Sequence, residues 1–458
     1  MVFAMARSET LIITGATGDL TRRFLLPALG ALLDSEPERR IELIGAGRRA
    51  HPDWLGSVRK AFGGYQGPAI QHTLTHTRWV TADASQTADW RRLLNCSGTP
   101  VTVYFALSPR AMRAAAVALQ GVPLPPNTRL AVEKPFGQDA ASARELNALL
   151  LEVVDEEQIF RVDHFLAAPA VLGMPTLRFG NRLLAESWQR EQLAEVNIVW
   201  DEALGLTGRA GCYDTAGALR DMIQSHLLQV LAATIMPTPA GPEGRPAAMR
   251  AALESLRVSR RAGAVRRGRW TAGELAGRPQ PAYVDEPGVD PGRRTETLAQ
   301  VEFVSSLPQW QGVPLRLRSG KGLAENRRYV ELVFRSAAPV AGVPARVEPN
   351  RLRIQILTGA IQLQLVAADL DGPAELQGVA LGAEEHEPTR VIEAAEVAVY
   401  ARVLRAALSG DPELCVSAAA AVDCWRLTEP ISRAFETDEI PLDEYPAGSS
   451  GPRHWRAP

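Results

Sequence analysis

Residues 10 to 14, TLIIT, form a short apolar run rich in β-branched side chains that stops at GATGDL, after which LTRRFLLPALGALLD repeats apolar positions at helical spacing. A strand, a tight turn and a helix are predicted. IELIGAG (41 to 47) predicts a second buried strand and DWLGSVRKAF a helix; VTVYFAL (101 to 107) and RLAVEKPFG (129 to 137) predict further strands, separated by helical patterns. DAASARELNALLLEVVDEEQ, at roughly 139 to 158, predicts a helix closing this half. Alternating strands and helices, with strands apolar throughout, argue for a parallel sheet covered on both faces.

The texture changes beyond about residue 190. AEVNIVWDEAL, TETLAQVEFVSS, VPLRLRSG, RRYVELVFRS and the pair RLRIQIL and IQLQLVAAD, which flank Thr358-Gly359-Ala360, predict antiparallel strands, several alternating with period two. The expected fold is therefore α/β plus α+β: a Rossmann-like, doubly wound parallel sheet over 1–165, and a domain with a large open antiparallel sheet and helices over 166–458. The stretches at about 237 to 247 and 382 to 390 read as loops, HTLTHTRWV (72 to 80) as strand, and the closing EYPAGSSGPRHWRAP as a tail.

Composition narrows the function classes. With 50 Lys+Arg against 52 Asp+Glu the chain has a net charge of −2, which supplies no basic field for nucleic acid or an anionic membrane. No long apolar run reads as a membrane span, and four cysteines without a CxxC pair fit a reducing, cytoplasmic setting. The cations are uneven. Of the 50, only Lys60, Lys134 and Lys321 are lysines, which leaves 47 arginines, so each Lys is informative. Lys134 and Lys321 both fall at predicted strand ends, where a compact ammonium differs from a wide guanidinium, although surface lysines can fall there by chance.

GATGDL follows a strand and opens a helix, the place where backbone N–H groups meet a pyrophosphate. Gly15, Thr17, Gly18, Asp19 and Leu20 would line that loop, which is otherwise an ordinary glycine turn. Arg48 and Arg49 follow the second strand, where an acid would hold a ribose 2′-hydroxyl and an arginine accommodates a 2′-phosphate; they are otherwise two solvated arginines. The expected cofactor is NADP, with NAD also compatible. His72 and His76 stand four apart but not in a helical context, and no metal site is expected. His226 sits in a helical stretch with apolar neighbours, where a core histidine and a general base for alcohol oxidation are both open readings.

In order along the chain, GATGDLTRRFLLPAL, YFALSPR, EKPFG, RVDHFL, LRFGNRLL, GRAGCYDTAGALRDMIQSHLLQ, YVDEPGV and WQGVPLRLRSGKGL resemble the landmarks of the glucose-6-phosphate dehydrogenase family. Sugar dehydrogenases similar to glucose-fructose oxidoreductase also carry EKP but lack this ordered set. The resemblance implies oxidation of a hexose at C1 to the 1,5-lactone, and a second domain for substrate binding and dimerisation. It casts His226 as general base, Asp163 as the carboxylate that orients it, and Lys134, followed by a cis peptide to Pro135, as a contact to sugar and nicotinamide. Glu202 and Asp214 would hold sugar hydroxyls, and His164 and Lys321 would line the phosphate end. A homodimer or dimer of dimers is implied, without an added structural NADP site.

The chain departs from that pattern where the family reads DHYLGKE. Here DHFLAAP stands, so Phe165, Ala168 and Pro169 replace a hydroxyl, a cation and an acid, and Asn326 stands where another phosphate-binding Lys or Arg is expected. Charge-assisted hydrogen bonds contribute roughly 1.5–3 kcal/mol each, so losing two cations weakens phosphate binding by powers of ten. The favoured expectation is a sugar without the 6-phosphate, such as glucose. Arg327 and Arg328 adjoin Asn326 and keep glucose 6-phosphate as an alternative. A non-catalytic NADP sensor is the third reading, which the intact Asp163, His226 and Lys134 oppose.

Overall fold

The computed structural model describes residues 8–95, 100–206, 208–241, 244–336, 349–368, 376–382 and 389–455. These residues divide into two compact units: one comprises Met1–Ala167 with Pro388–Val422, the other Ala168–Glu387 with Asp423–Pro458.

In the first unit the apolar runs become six parallel strands: β1 (Ser8–Thr14), β2 (Arg40–Gly47), β3 (Arg78–Thr81), β4 (Val101–Phe105), β5 (Arg129–Glu133) and β6 (Ile159–Val162). Their order is β3-β2-β1-β4-β5-β6, so the direction of winding reverses between β1 and β4 and opens a crevice at their carboxyl ends. Leu11, Ile12, Ile13, Val101, Val103, Leu130 and Val132 are fully buried, as strands covered on both faces must be. Local chemistry sets the helix starts. Asp53 accepts a hydrogen bond from the Gly56 N–H at 3.2 Å, and Asp139 forms a capping box with Ser142 at the head of Ala140–Leu151. That helix ends sooner than its pattern predicts, a single turn at Glu156–Gln158 follows, and β6 completes the sheet.

One local reading is corrected here. The segment predicted as strand around His72 and His76 is the helix Pro68–Thr75: Pro68 opens it, and the two imidazoles stack at 4.1 Å as helical neighbours. Residues assigned to the second domain also return to the first unit. The helix Thr389–Ser409 packs on Leu26–Ser35, where Arg405 pairs with Glu36 and Arg129 Nη1 donates to the Leu408 carbonyl at 2.8 Å.

The second unit is built on a ten-stranded sheet. Its strands are β7 (Leu193–Asp201), β8 (Leu256–Val258), β9 (Val265–Thr271), β12 (Leu298–Ser305), β13 (Leu315–Gly320), β14 (Arg327–Phe334), β15 (Arg351–Gln355), β16 (Ile361–Ala368), β17 (Leu376–Gly382) and β18 (Leu442–Pro446); β10 (Gly273–Leu275) and β11 (Arg278–Gln280) form a separate hairpin. The sheet is mixed rather than wholly antiparallel, because β13 runs parallel to β7 and β18 parallel to β9. The predicted pair around Thr358-Gly359-Ala360 is present, with Ile354 opposite Ile361. Of the two predicted loops, 237 to 247 already turns helical at Gly244–Ser255, and 383–388 lies outside the described residues.

The expected tail is instead part of the core. β18 pairs along β9, the Gly448 N–H donates to the Gly322 carbonyl at 2.8 Å, and the Ala324 N–H donates to that of Ser449 at 3.0 Å. Tyr445 and Trp455 join Trp270, Tyr283, Leu298 and Leu323 in one apolar cluster. The glycines and prolines around them read as loop, but two aromatic anchors outweigh that signal. Gly448 has φ +80°, and a Cβ there would lie 1.9 Å from the Glu274 carbonyl oxygen. Trp455→Ala is therefore expected to cost about 3–5 kcal/mol, read as a lower urea midpoint at unchanged m value.

Candidate active site

At the carboxyl ends of β1, β2, β3 and β4 the first unit encloses a cavity of about 670 Å³. Gly15, Thr17 and Arg48, all expected there, line it. Gly15 has φ +72°, and a Cβ would come within 2.2 Å of the Ala106 carbonyl, so only glycine lets the turn lie this close to the end of β4. Asp19 faces solvent and is paired with Arg22 and Arg23. Three lining residues escaped the sequence reading: Asp83, Ser85 and Arg110. Asp83 and Ser85 follow β3 and Arg110 follows β4; the only sequence signal was their place just past strand ends. The Ser85 N–H and hydroxyl hold the Asp83 carboxyl below its usual range. The tight Gly15 turn, the cavity and an arginine without an acidic neighbour after β2 fit a dinucleotide bearing a 2′-phosphate.

Beside this crevice β5 delivers Lys134, and the Lys134–Pro135 peptide is cis, as expected. Glu133 is buried and accepts from the Tyr104 hydroxyl at 2.5 Å; burial pushes its carboxyl up to about 7, against the pull of Tyr104 and Lys134. Asp163 follows β6 and is fully buried. It accepts from the Phe165 N–H at 3.0 Å, and burial raises it to about 6 despite His164 and Lys134 nearby. The His164 ring stacks on Tyr400 at 4.9 Å. Phe165 is buried and brings only hydrocarbon.

In the second unit His226 lies on a π-helical stretch, Leu219–Leu227, packed on β12 and β13, and is 1% exposed. Beyond the end of β7, Glu202 is ion-paired with Lys321, whose ammonium also lies over the Tyr213 ring at 5.8 Å. The Lys321 turn is held from behind: its N–H donates to the Thr297 carbonyl at 2.9 Å and its carbonyl accepts from the Tyr445 hydroxyl at 2.8 Å.

Asp214 does not sit as a free sugar ligand. Its carboxylate accepts from the Tyr283 hydroxyl at 2.9 Å, the Asp290 N–H at 3.1 Å and Arg293 at 3.3 Å, and it is 2% exposed. It clamps the loop that leads into β12. A less buried carboxylate nearby is Asp221, which the sequence reading passed over. It is partly exposed, stands five residues before His226 where i→i+5 bonding makes that one turn, and is close enough to Tyr213 to raise its phenol. Its signal was the RD within LRDMIQSHL.

Model matches cover both units: residues 12–172 match the glucose-6-phosphate dehydrogenase NAD binding domain, and 175–457 the C-terminal domain. The chain belongs to the glucose-6-phosphate dehydrogenase family. It is 33% identical to the glucose-6-phosphate 1-dehydrogenase of Gluconobacter oxydans (strain 621H), over 96% of this chain and 94% of that one. The Leuconostoc mesenteroides enzyme is 30% identical with the same coverage. A solved glucose-6-phosphate dehydrogenase in complex with glucose-6-phosphate superposes with TM-score 0.85 at 26% identity, covering 99% of this chain and 97% of that one; the Mycobacterium avium glucose-6-phosphate 1-dehydrogenase gives 0.82 at 29%, covering 99% of each. A levoglucosan dehydrogenase at 11% identity and TM-score 0.52 shares the fold alone. The family uses NADP, which the first-unit crevice accommodates, and no helix among the described residues is long and apolar enough to cross a membrane.

Two outcomes are expected. Arg48→Ala should raise the Kd for NADPH about 10- to 100-fold while leaving that for NADH within about threefold, measured by fluorescence titration. The second concerns Glu296, which is buried beside Asp214 in a cavity of about 420 Å³, and whose carboxyl burial pushes up to about 7. A raised carboxyl binds its proton more tightly folded than unfolded, so the linked stability is present below about pH 4.5 and lost as pH rises through about 7. Glu296→Gln should gain stability relative to the parent between pH 5 and pH 8, on the order of 3 kcal/mol, by urea denaturation at both pH values.

Proposed function

We propose that the chain oxidises glucose 6-phosphate at C1 with NADP. The observation that carries this reading is the near-complete match to glucose-6-phosphate 1-dehydrogenases at 30–33% identity, combined with retention of Lys134, Asp163, Glu202, His226 and Lys321. When bound, NADP supplies the hydride acceptor. His226 would take the O1 proton at an imidazole nitrogen as the C1 hydrogen left with its electron pair and the C1–O1 double bond of the lactone formed.

Each residue's surroundings suit its part. His226 is 1% exposed, so its imidazole is held away from bulk water. Asp163 is positioned by its bond to the Phe165 N–H and would orient that imidazole. Glu202, tethered by Lys321, and Asp221 present acceptors for sugar hydroxyls. The reading includes a homodimer or dimer of dimers, and a cytoplasmic setting suited to Cys212, Cys415 and Cys424, which are free thiols.

A second reading, oxidation of the unphosphorylated sugar, is favoured by three side chains. Phe165 and Ala168 are buried without a polar group, and the Asn326 side-chain oxygen is taken by the Ala203 N–H at 3.0 Å. Parallel assays decide. NADPH formation should show kcat/KM for glucose 6-phosphate at least 100-fold above that for glucose; the reverse order would transfer the function to glucose. His226→Asn should lower kcat by about 10³-fold or more with the NADPH Kd unchanged.

A further inference from the structure

Asn326 and Ala168 leave the substrate's far end without two expected cations, yet the strand that follows Asn326 carries two arginines with different fates. Arg327 turns to one face of the sheet, where Nε donates to Asp201 at 3.1 Å. Arg328 turns to the other, with its guanidinium 4.9 Å over the ring of its cross-strand neighbour Trp200 and 3.6 Å from Glu202. Period-two alternation puts Asn326 and Arg328 on the same side, two residues apart.

Arg328 is 7% exposed, and its Nε and Nη1 have no hydrogen-bond acceptor among the described residues. Glu202 is its ion-pair partner, and that carboxylate is already closely paired with Lys321. One carboxylate therefore faces two cations in a buried place. Such a surplus is costly unless something anionic joins it.

The backbone points the same way. The Arg328 carbonyl accepts from the Ile356 N–H at 2.9 Å, and the Ile356 carbonyl accepts from the Ala170 N–H at 3.3 Å. Arg328 thus lies two hydrogen-bonded chains away from the Ala168–Ala170 segment, which has lost its own cation. Its position is between that segment and the Lys321 turn.

We infer that Arg328 binds the phosphate of the substrate, taking over from the missing cations at 168 and 326, with a guanidinium whose Nε and Nη1 are still unengaged. A guanidinium fork suits a phosphate as a second lysine would not. The inference rests on the phosphorylated-substrate reading and extends it to a residue outside the expected phosphate-binding set.

Arg328→Gln and Arg328→Lys would be assayed with glucose 6-phosphate and with glucose, and titrated calorimetrically with inorganic phosphate. If Arg328 reads the phosphate, the Gln variant loses kcat/KM for glucose 6-phosphate at least about 30-fold more than for glucose, the Lys variant recovers part of that loss, and phosphate heats vanish in the Gln variant alone. An equal loss for both sugars, with phosphate binding retained, would assign Arg328 to holding Glu202 and overturn the proposal. A parent enzyme that prefers glucose would instead sink the substrate reading, and the phosphate titration would still decide on Arg328: retained heats in the Gln variant, or none in the parent, overturn it.

Discussion

Two adjacent carboxylates at the end of β7 point to opposite faces of the large sheet, and much of the second unit is arranged to meet their charge. Asp201 is 1% exposed and receives Arg318 at 3.0 Å and Arg327 from the flanking strands; Glu202 receives Lys321 and Arg328. A buried ion pair adds little net stability, but removing one partner costs roughly 3–5 kcal/mol because the other charge remains. The strands that supply these cations are thus locked into register with β7. That register places Glu202, the carboxylate proposed to hold a sugar hydroxyl, beside Lys321 and Arg328.

Arginine serves on both faces, lysine on one. A guanidinium donates along several directions and bridges strands, as Arg316 does between Glu195 and Glu302. Lys321 instead occupies a tight turn backed by Tyr213, where a compact ammonium fits. The scarcity of lysine singled out Lys134 and Lys321 for this reason. It could not single out Arg328, which is one of 47 arginines and looks like its neighbours in a string of letters.

The cofactor crevice was legible because its features are local: an apolar strand, a glycine at the turn and a helix start lie within a dozen residues. The open sheet was legible from alternation. What escaped depended on distant partners. Nothing in GCYDTAG shows that Asp214 meets Tyr283, Asp290 and Arg293. The segment after residue 441 was misjudged because its turn-forming residues are sequence-local, while the cluster that receives Tyr445 and Trp455 is assembled from residues up to about 250 positions earlier. The strand reading of His72 and His76 failed for a smaller reason: Thr-rich spacing imitates a strand until Pro68 fixes the helix start.

The chain passes between its two units three times, since the first comprises residues 1–167 and 388–422 and the second 168–387 and 423–458. Neither unit is therefore a single cassette of the gene. A recombination event that exchanged only the first 167 residues would import a nucleotide-binding half without the helix that covers Leu26–Ser35, and would leave a foreign helix in its place. Moving the whole first unit between two such chains would take a double crossover that carries both segments together.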